Sequence, residues 1–356
     1  MGIYGYMNEY PYGFLPEHLK MVGEIDEFKG RWNAIANLSP EQLSELKSVA
    51  TIQSIGSSTR IEGSKLSDLE IKNLLSGLSL KRPRNRDEQE VAGYADAINL
   101  IFSSFNTLSL SEETIRNLHV RLMQFSAKDR KRAGKYKTEP NHIEAFDQEG
   151  KSLGIVFEAV SPEQTPAHMK DLVQCTNDEL SANTLHPLLI LSMFTVHFLA
   201  INPFDDGNGR LSRILTNLLL LKSGYRYVPY CSLEKIVEDN KDRYYIALNE
   251  TQKTLFTDHA NEHVWTSFFL SILRRQVGIL DEKIRSENVL TDVPPLSRDI
   301  LSIARTRGTV TVAAAVAATG TNRNTVKVHV RQLESRGLLV QKGHGKGTWY
   351  EPAAAE

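Results

Sequence analysis

Apolar residues recur at intervals of three and four along most of the chain, from Pro16 to Ile284. One stretch shows the spacing clearly, in Tyr94, Ala97, Ile98, Ile101 and Phe102. Positions spaced in this way fall on one face of an α-helix. The pattern therefore predicts a mainly α-helical body whose helices bury one face each.

A different pattern interrupts the helical one between Asn141 and Ser161. Two short β-prone runs, Ile143–Phe146 and Leu153–Phe157, flank the polar sequence Asp147–Gly150. A polar turn with glycine between two such runs is typical of a β-hairpin. We expect one hairpin within the helical body.

Paired prolines at 294 and 295 are the best candidate for a domain boundary, because proline stops a helix and favours an extended connector. Beyond them the pattern predicts three helices and a glycine-tipped hairpin, over Ser297–Thr306, Val310–Ala318, Asn322–Ser335 and Leu338–Tyr350. This order of elements predicts a small winged helix-turn-helix domain at 291–356.

Composition favours a globular protein with a substantial core. The 356 residues are 41% hydrophobic, enough for one large domain and a smaller one. Basic and acidic residues nearly balance, 42 against 43, so any attraction to nucleic acid must be local. Cys175 and Cys231 are too few and too far apart to staple a domain of this size, so we expect reduced thiols.

The longest apolar stretch, Leu188–Ile201, is interrupted by His197 and falls short of the roughly 20 residues that cross a bilayer. We therefore expect a buried helix and no membrane span. The first residues lack the basic segment and apolar run of a secretory signal. A cytoplasmic location is the expectation.

The segment that joins two apolar helices, Ile201–Arg213, carries the candidate chemistry. Gly207, Asn208 and Gly209 let the backbone turn sharply and expose consecutive N–H groups at the start of the second helix. A helix N-terminus of this kind binds anions, and arginines at 210 and 213 lie on one face, within reach of the same phosphates. Asp206 is placed to hold a magnesium ion that bridges phosphate oxygens. A solvated loop with a helix cap is the weaker interpretation.

These residues resemble the signature of Fic (Fido) domains, His-Pro-Phe-x-(Asp/Glu)-Gly-Asn-Gly-Arg-x-x-Arg, and match it from Pro203 to Arg213. The likeness covers roughly residues 40–285 and includes the hairpin, Gly134–Lys137, Pro166–Leu172, Asp242–Tyr245 and Ala247-Leu248. It implies a Fic-type helical core at 111–290, with the hairpin as a flap. An N-terminal helical region at 1–110 would precede this core.

The resemblance implies a protein adenylyltransferase, which moves AMP from ATP to a Ser, Thr or Tyr hydroxyl of a target protein. The nucleotide would contact Gly207, Asn208, Gly209, Arg210, Arg213, Tyr244 and Tyr245, with Asp206 on Mg²⁺. A tyrosine pair on a helix is, however, more often part of a core. The flap would hold the target segment as an added strand. Self-modification and a homodimer are also expected by resemblance.

Asn202 departs from the family pattern, because it stands where the family has the catalytic histidine. That histidine takes the proton of the incoming hydroxyl, whereas an amide has no useful basicity near neutral pH. Three explanations stay open: an engineered removal of the base, a natural protein with weak or absent transfer, or a base recruited elsewhere. His197 is the obvious substitute, but it lies five residues back on the helix, off the face of Asn202, and a core or capping role suits it better.

The sequence Ser58–Gly63 resembles the inhibitory (Ser/Thr)-x-x-x-Glu-(Gly/Asn) motif of Fic proteins. There the glutamate pairs with the last arginine of the signature, which here implies Glu62 and Arg213 in the space that the γ-phosphate needs. Ser58 would support the pair by a hydrogen bond. The alternative is an ordinary helix end, since Ser, Glu and Gly are common capping residues.

Two classes of function remain open on the sequence alone. The first is an adenylyltransferase that Glu62 inhibits and Asn202 impairs. The second is a catalytically dead nucleotide-sensing or DNA-binding regulator, whose DNA contacts would come from Arg323, Asn324, Lys327 and Arg331 on the third helix and from Lys342, His344 and Lys346 on the wing. The same module could serve dimerisation or target recognition instead. Removal of AMP from modified proteins, with Glu62 positioning a water, is also compatible.

Overall fold

The computed structural model of the protein describes residues 15–32, 38–76, 83–146, 152–257, 260–291 and 294–353. The chain divides into two compact units, 1–280 and 281–356. The described residues of both units are mainly helical, which confirms the fold class expected from the hydrophobic pattern.

The helices of the described residues are α1 (Pro16–Trp32), α2 (Pro40–Ile61), α3 (Asp68–Ser76), α4 (Arg86–Ser104), α5 (Glu112–Met123), α6 (Thr165–Ala182), α7 (Pro187–Ile201), α8 (Asn208–Lys222), α9 (Leu233–Asp239), α10 (Lys241–Gln252), α11 (His263–Thr291), α12 (Pro295–Arg307), α13 (Val312–Thr319) and α14 (Arg323–Ser335). The strands are β1 (His142–Phe146), β2 (Ser152–Glu158), β3 (Leu339–Lys342) and β4 (Trp349–Pro352).

Helix α7 forms the centre of the first unit. Every residue from Leu188 to Ile201 is buried, and α7 packs between α6 and α8. A helix that is apolar on all sides must be covered on all sides. The expectation of a buried core helix is therefore confirmed, and none of the helices in the described residues is long and apolar enough to cross a bilayer.

Helix α4 presents its apolar stripe to the same core. The five stripe residues named above, from Tyr94 to Phe102, are all buried, and the Asn85 side chain caps the helix by accepting from the Glu88 N–H at 2.9 Å. Gly93 lies where α4 meets α5, and a Cβ at this position would collide with the backbone oxygen of Leu122. Only glycine allows this close contact between the two backbones.

Helix α2 is exposed in its first half and buried in its second. A capping box begins the helix, with Ser39 and Gln42 bonded to each other's backbone N–H. From Ser54 to Thr59 every residue is buried, because α2 packs against α9 and α4. The Ser58–Gly63 motif therefore lies at the inner end of α2, away from the exposed half.

The predicted hairpin is confirmed in the part of the chain that the structure describes. Strands β1 and β2 pair antiparallel, from His142 opposite Glu158 to Phe146 opposite Ser152, with two register shifts between these ends. The predicted turn at Asp147–Gly150 lies outside the described residues.

The described residues of the second unit form the end of α11, the helices α12, α13 and α14 and a two-stranded sheet, with α12 to β4 at nearly the predicted positions. Its core is apolar, with Ile300, Leu301, Ala304, Val310, Ala315, Val326, Val330, Leu333, Leu339 and Tyr350 buried together. A backbone bridge joins Val310 to Tyr350, next to the β3–β4 pair. Helix α11 continues to Thr291, and Pro295 is the first residue of α12, a position that proline tolerates. The winged helix-turn-helix assignment stays a prediction.

We expect Gly93→Ala to destabilise the protein by about 2 kcal/mol, because overpacking at a backbone contact forces α4 and α5 apart. Gly278→Ala is the matched control, since Gly278 is exposed within α11 and has no neighbour that a Cβ would meet. Alanine there should stabilise the helix by up to about 1 kcal/mol. Urea unfolding of both variants measures the difference, and equal effects would contradict the close α4–α5 contact.

Candidate functional site

The loop between α7 and α8 forms the floor of the candidate site. Asn202 ends α7 in the left-handed region, at φ 49° and ψ 60°, and its N–H donates to the Phe198 carbonyl. Asparagine tolerates this conformation better than most residues. Gly207, at φ 82°, then starts α8, and its carbonyl accepts from the Leu211 N–H at 2.8 Å. The loop thus presents the N-terminus of α8, where backbone N–H groups have no partner within the helix.

Asn208 fixes the loop from inside. Its side-chain oxygen accepts from the Phe204 N–H at 2.9 Å, and its amide donates to the Phe204 carbonyl at 2.7 Å. Because the buried side chain is used within the loop, Asn208 can offer an anion only its backbone N–H.

Lys137 and Asn141 hold the same loop from the flap side. The Lys137 ammonium donates to the Ile201 carbonyl at 3.0 Å and to Asn141 Oδ1 at 2.7 Å. The Asn141 amide in turn donates to the carbonyls of Asn202 and Phe204. Burial lowers the pKa of Lys137 to about 8. Sequence reasoning did not single out either residue as part of the site, although Lys137 lies in one of the matched segments.

His119, on α5, supports the loop as a neutral ring. It stacks on Phe204 with the ring centroids 3.9 Å apart. Its Nδ1 accepts from the Gly134 N–H at 2.9 Å, so Nε2 carries the proton and donates to the Asp206 carbonyl at 3.0 Å. Burial lowers the pKa of His119 to about 4. No signal in the sequence marked this residue.

Arg210 lies in a cluster of four charges. Its guanidinium is buried and contacts Asp206 Oδ1 at 3.0 Å and Glu90 Oε2 at 3.4 Å. Arg86, on the exposed side, holds the other oxygen of Glu90 at 2.8 Å. The sequence placed Arg210 and Asp206 together correctly, but it gave no reason to add Glu90 and Arg86 from α4.

Arg213 lies three residues after Arg210 on α8 and pairs with the C-terminal end of α2. Nε donates to the Ser58 hydroxyl at 2.8 Å, and Nη2 donates to the Ser58 carbonyl at 2.9 Å and to Glu62 Oε1 at 2.8 Å. Burial by itself would lower the pKa of Arg213, but Glu62, Tyr244 and Tyr94 together outweigh it and the pKa is raised. The Glu62–Arg213 pair and the supporting bond of Ser58 are therefore both present.

The Glu62 carboxylate lies directly over Gly209, where a Cβ would collide with Glu62 Oε1. The same Cβ would be 3.4 Å from Arg213 Nη1, a buried donor with no hydrogen-bond partner among the described residues. A buried unpaired donor costs about 1–3 kcal/mol. The space above Gly209 thus holds one carboxylate, and next to it lies a cationic N–H donor that is able to donate to an anion oxygen.

Tyr244 and Tyr245, on α10, border this space. Tyr244 is buried edge-on against Trp265, as the core alternative expected, whereas Tyr245 is 40% exposed. Burial raises the pKa of Tyr244 to about 12. The positive charge of Arg213 acts in the other direction and lowers this pKa, because it favours the phenolate.

His197 is a core residue and does not face the loop as Asn202 does. Its side chain is 4% exposed, its ring meets Phe256 edge-on at 6.1 Å, and burial lowers its pKa to about 4. These surroundings agree with the core role that the helix geometry indicated for it. Asn202 is only half-buried and keeps access to solvent.

Asp206 fits a magnesium ion only in combination with phosphate. Its carboxylate is 38% exposed, and no group of three His, Cys, Asp or Glu side chains within the described ranges could hold a metal. Magnesium commonly uses one or two carboxylates together with substrate phosphates, which the adjacent helix N-terminus would bind. The residues present therefore fit Mg²⁺ as a partner of a bound nucleotide.

A sequence model of the Fic/DOC family matches residues 109–220, which contain the α7–α8 loop and both arginines. The chain contains a Fic/DOC domain. The match covers part of the core that the sequence predicted at 111–290. Helix α2 and Glu62 lie before the matched residues.

Curated relatives agree with the Fic/DOC assignment. Protein adenylyltransferase fic-1 of Caenorhabditis elegans is 29% identical over 169 residues, which are 46% of this chain and 30% of that protein. Protein adenylyltransferase Fic of Drosophila mojavensis is 24% identical over 286 residues, which are 77% of this chain and 52% of that protein. The chain thus spans about a third to a half of the length of these relatives.

Solved structures share the fold. A Fic family protein from Desulfovibrio desulfuricans has a TM-score of 0.60 at 22% identity, and the match covers 98% of this chain and 99% of that one. Fic-1 of C. elegans has a TM-score of 0.54 at 22% identity over 73% of this chain and 71% of that one. The Fic/DOC fold is therefore present around the loop described above.

We expect the free energy of unfolding to decrease as the pH falls from 6.5 to 4. In this range His119 binds a proton in the unfolded chain but stays neutral in the fold, where burial lowers its pKa. The folded pKa is lowered, so the unfolded state binds more protons in this window and stability rises with pH through it. Between pH 7 and pH 5 the loss from this residue is about 2 kcal/mol. Urea unfolding at the two pH values, with His119→Gln for comparison, measures it.

The Gln side chain does not titrate, so the variant should show a smaller difference between the two pH values by about the same amount. The contribution of His197 stays in both proteins and cancels. An unchanged pH dependence in His119→Gln would show that folding does not lower the pKa of His119.

Proposed function

We propose that this chain is a protein adenylyltransferase that binds ATP at the α8 N-terminus and is held inhibited by Glu62. One observation carries the proposal. The Glu62 carboxylate occupies the space above Gly209 and pairs with Arg213, at a helix N-terminus built to bind an anion. A carboxylate in that place mimics a phosphate group.

The phosphates of ATP would lie over the backbone N–H groups of Gly207, Asn208 and Gly209, beside Arg210 and Arg213. Backbone N–H groups and buried guanidinium groups form strong charge-assisted hydrogen bonds with phosphate oxygens. Mg²⁺, when bound at Asp206, would neutralise phosphate charge. Arg210 would keep Glu90 as its counter-charge when Asp206 turns to the metal, so the cluster stays balanced.

Glu62 controls whether the terminal phosphate can bind. Its carboxylate and a phosphate oxygen need the same face of Arg213, so the two exclude each other. Displacement of Glu62 leaves Arg213 charged and buried, and the incoming phosphate replaces the lost partner. Because the Glu62 side chain is 32% exposed, it can turn towards solvent without unfolding α2.

The transfer step needs a base that Asn202 does not supply. The target hydroxyl oxygen forms a bond to the α-phosphorus, the bond to the bridging oxygen of the β-phosphate breaks, and pyrophosphate leaves. The hydroxyl proton must go to a base or to water. An amide at 202 can only orient the hydroxyl, so transfer is slower by about 10²–10⁴ than with a histidine.

The relatives support this function at the level of the family. Both curated relatives described above are named protein adenylyltransferases. The proposal for this chain rests in addition on its own residues, because these relatives extend well beyond the matched part.

We expect label from ATP to reach protein once Asn202 is replaced by histidine, and faster in Asn202→His/Glu62→Gly. Histidine also tolerates the left-handed backbone at 202. Restoring the base should raise transfer by about 10²–10⁴, and removing Glu62 should raise it further by opening the phosphate site. Labelled ATP with magnesium, followed into target and self-modified protein, measures both gains.

Asn202→Gln is the matched control, since it changes the residue without adding a base. If Asn202→His binds ATP but transfers no label with or without Glu62, the adenylyltransferase proposal is wrong. If the chain as it stands transfers as fast as Asn202→His, a base lies elsewhere and the role given to position 202 is wrong.

A second candidate function rests on the surface of α14. Val326, Val330 and Leu333 face the core of the second unit. Arg323, Asn324, Lys327 and Arg331 are exposed on the helix, and Lys342 and His344 are exposed near β3. A basic exposed face opposite a buried apolar one suits a recognition helix in the major groove. We propose DNA as the partner of this unit.

We expect Lys327→Ala and Arg331→Ala to weaken binding of a duplex DNA of about 30 base pairs and to lower the salt dependence by about one unit each. Arg298→Ala is the control, because Arg298 is exposed on α12 rather than α14. Fluorescence anisotropy at several salt concentrations measures the change. Absence of binding by the full chain would favour a protein partner for this unit.

A further inference from the structure

Arg60 lies two residues before Glu62 and uses its whole guanidinium within the fold. Nε and Nη2 donate to the two oxygens of Glu238 at 2.6 Å and 3.1 Å. Nη1 donates to Asp68 Oδ1 at 2.9 Å and to the Leu66 carbonyl at 3.0 Å. Nη2 also donates to the Ser57 hydroxyl at 3.2 Å. A guanidinium has five N–H donors, and these five hydrogen bonds use all three of its nitrogens.

The contacts of Arg60 join three helices at the end of α2. Glu238 belongs to α9, and Asp68 is the first residue of α3. The Glu238 pair is bidentate, which fixes orientation as well as distance. We call Arg60, Glu238 and Asp68 the clasp. Because the clasp closes on the last turn of α2, it determines where that helix ends.

The backbone after the clasp leaves little freedom for Glu62. The Glu62 N–H donates to the Thr59 carbonyl at 3.1 Å, and the Gly63 N–H donates to the Arg60 carbonyl at 3.0 Å. Gly63 then turns the chain at φ 105°, in a region that favours glycine. The direction of the Glu62 side chain therefore follows the orientation of the turn that Arg60 holds.

Helix α9 also holds the helix that carries Arg213. Glu234, one turn before Glu238, is buried and accepts from the Asn217 amide at 2.7 Å and from the Tyr94 hydroxyl at 2.9 Å. The same Asn217 amide donates to the Arg213 carbonyl at 2.8 Å. Residues four apart on a helix lie on one face. One face of α9 thus touches α2 through Glu238 and α8 through Glu234.

We propose that the clasp is the positioning device of the inhibitory contact, in which Arg60 and Glu238 set α2 against α9 so that Glu62 meets Arg213. The inference rests on the proposed inhibition by Glu62. Arg60 is a positioning residue, since its side chain is bonded to α9 and α3 and makes no hydrogen bond to Glu62 or Arg213. Loosening the clasp lets the last turn of α2 move and lowers the fraction of molecules in which Glu62 covers Gly209.

The test measures the affinity for MgATP by calorimetry on the full chain, where Asn202 keeps turnover low. We expect Glu238→Gln and Asp68→Asn each to tighten ATP binding by at least about threefold, because the ligand no longer has to displace a firmly held carboxylate. Asp96→Asn is the matched control. Asp96 is about as exposed as Asp68 and pairs with Arg121 at 2.8 Å between α4 and α5, outside the clasp, so the ATP affinity of this variant should not change.

The same substitutions are repeated in a Glu62→Gly background. There the clasp has no inhibitory side chain to position, so Glu238→Gln and Asp68→Asn should leave ATP affinity unchanged. A merely structural role would lower affinity equally in both backgrounds. Asp68, whose side chain is 40% exposed, provides a milder variant if Glu238→Gln lowers folding stability.

The outcomes separate the clasp from the inhibition itself. If Glu62→Gly tightens ATP binding but neither clasp substitution does, the clasp inference is wrong and the inhibitory contact stands. If Glu62→Gly leaves ATP affinity unchanged, the proposed inhibition fails, whatever the clasp variants do. If Glu238→Gln also tightens ATP binding in the Glu62→Gly background, the clasp inference is wrong as well.

Discussion

The buried guanidinium of Arg213 is the constraint on which the rest of the site depends. A buried charge needs a partner of opposite sign, and removing that partner without a replacement is strongly destabilising. Glu62 supplies the partner in this structure. The N-terminus of α8 next to it favours negative charge as well. These two requirements explain why an acidic residue at the C-terminal end of α2 lies over the α7–α8 loop.

The sequence predicted the features that depend on neighbouring residues. The α7–α8 loop, the hairpin strands and the helices of the second unit follow from local spacing, and the Glu62–Arg213 pair follows from two family motifs. The supports of the site could not be predicted in this way. Lys137 donates to the Ile201 carbonyl, 64 positions further along the chain, and Arg60 pairs with Glu238, 178 positions further along. No local sequence pattern specifies such pairings. They become visible only when the helices have packed.

Backbone shape and chemistry are separable at position 202. The left-handed end of α7 suits asparagine, and the loop stays fixed by Asn208, Asn141 and His119. None of these contacts uses the Asn202 side chain. The geometry of the loop therefore persists without a base, so under the proposed function nucleotide binding and group transfer can be lost independently.

Because Gly209 has no side chain, there is space above it for the Glu62 carboxylate and, in the proposed function, for a phosphate group instead. Under the proposed function the carboxylate and a phosphate group cannot occupy this volume together, so the balance between them follows mass action. Inhibition of this kind is competitive, and a sufficient concentration of nucleotide overcomes it without any covalent change in the chain. The protein would then respond continuously to the supply of nucleoside triphosphate, as a graded sensor of the energy state around it rather than as an on–off switch.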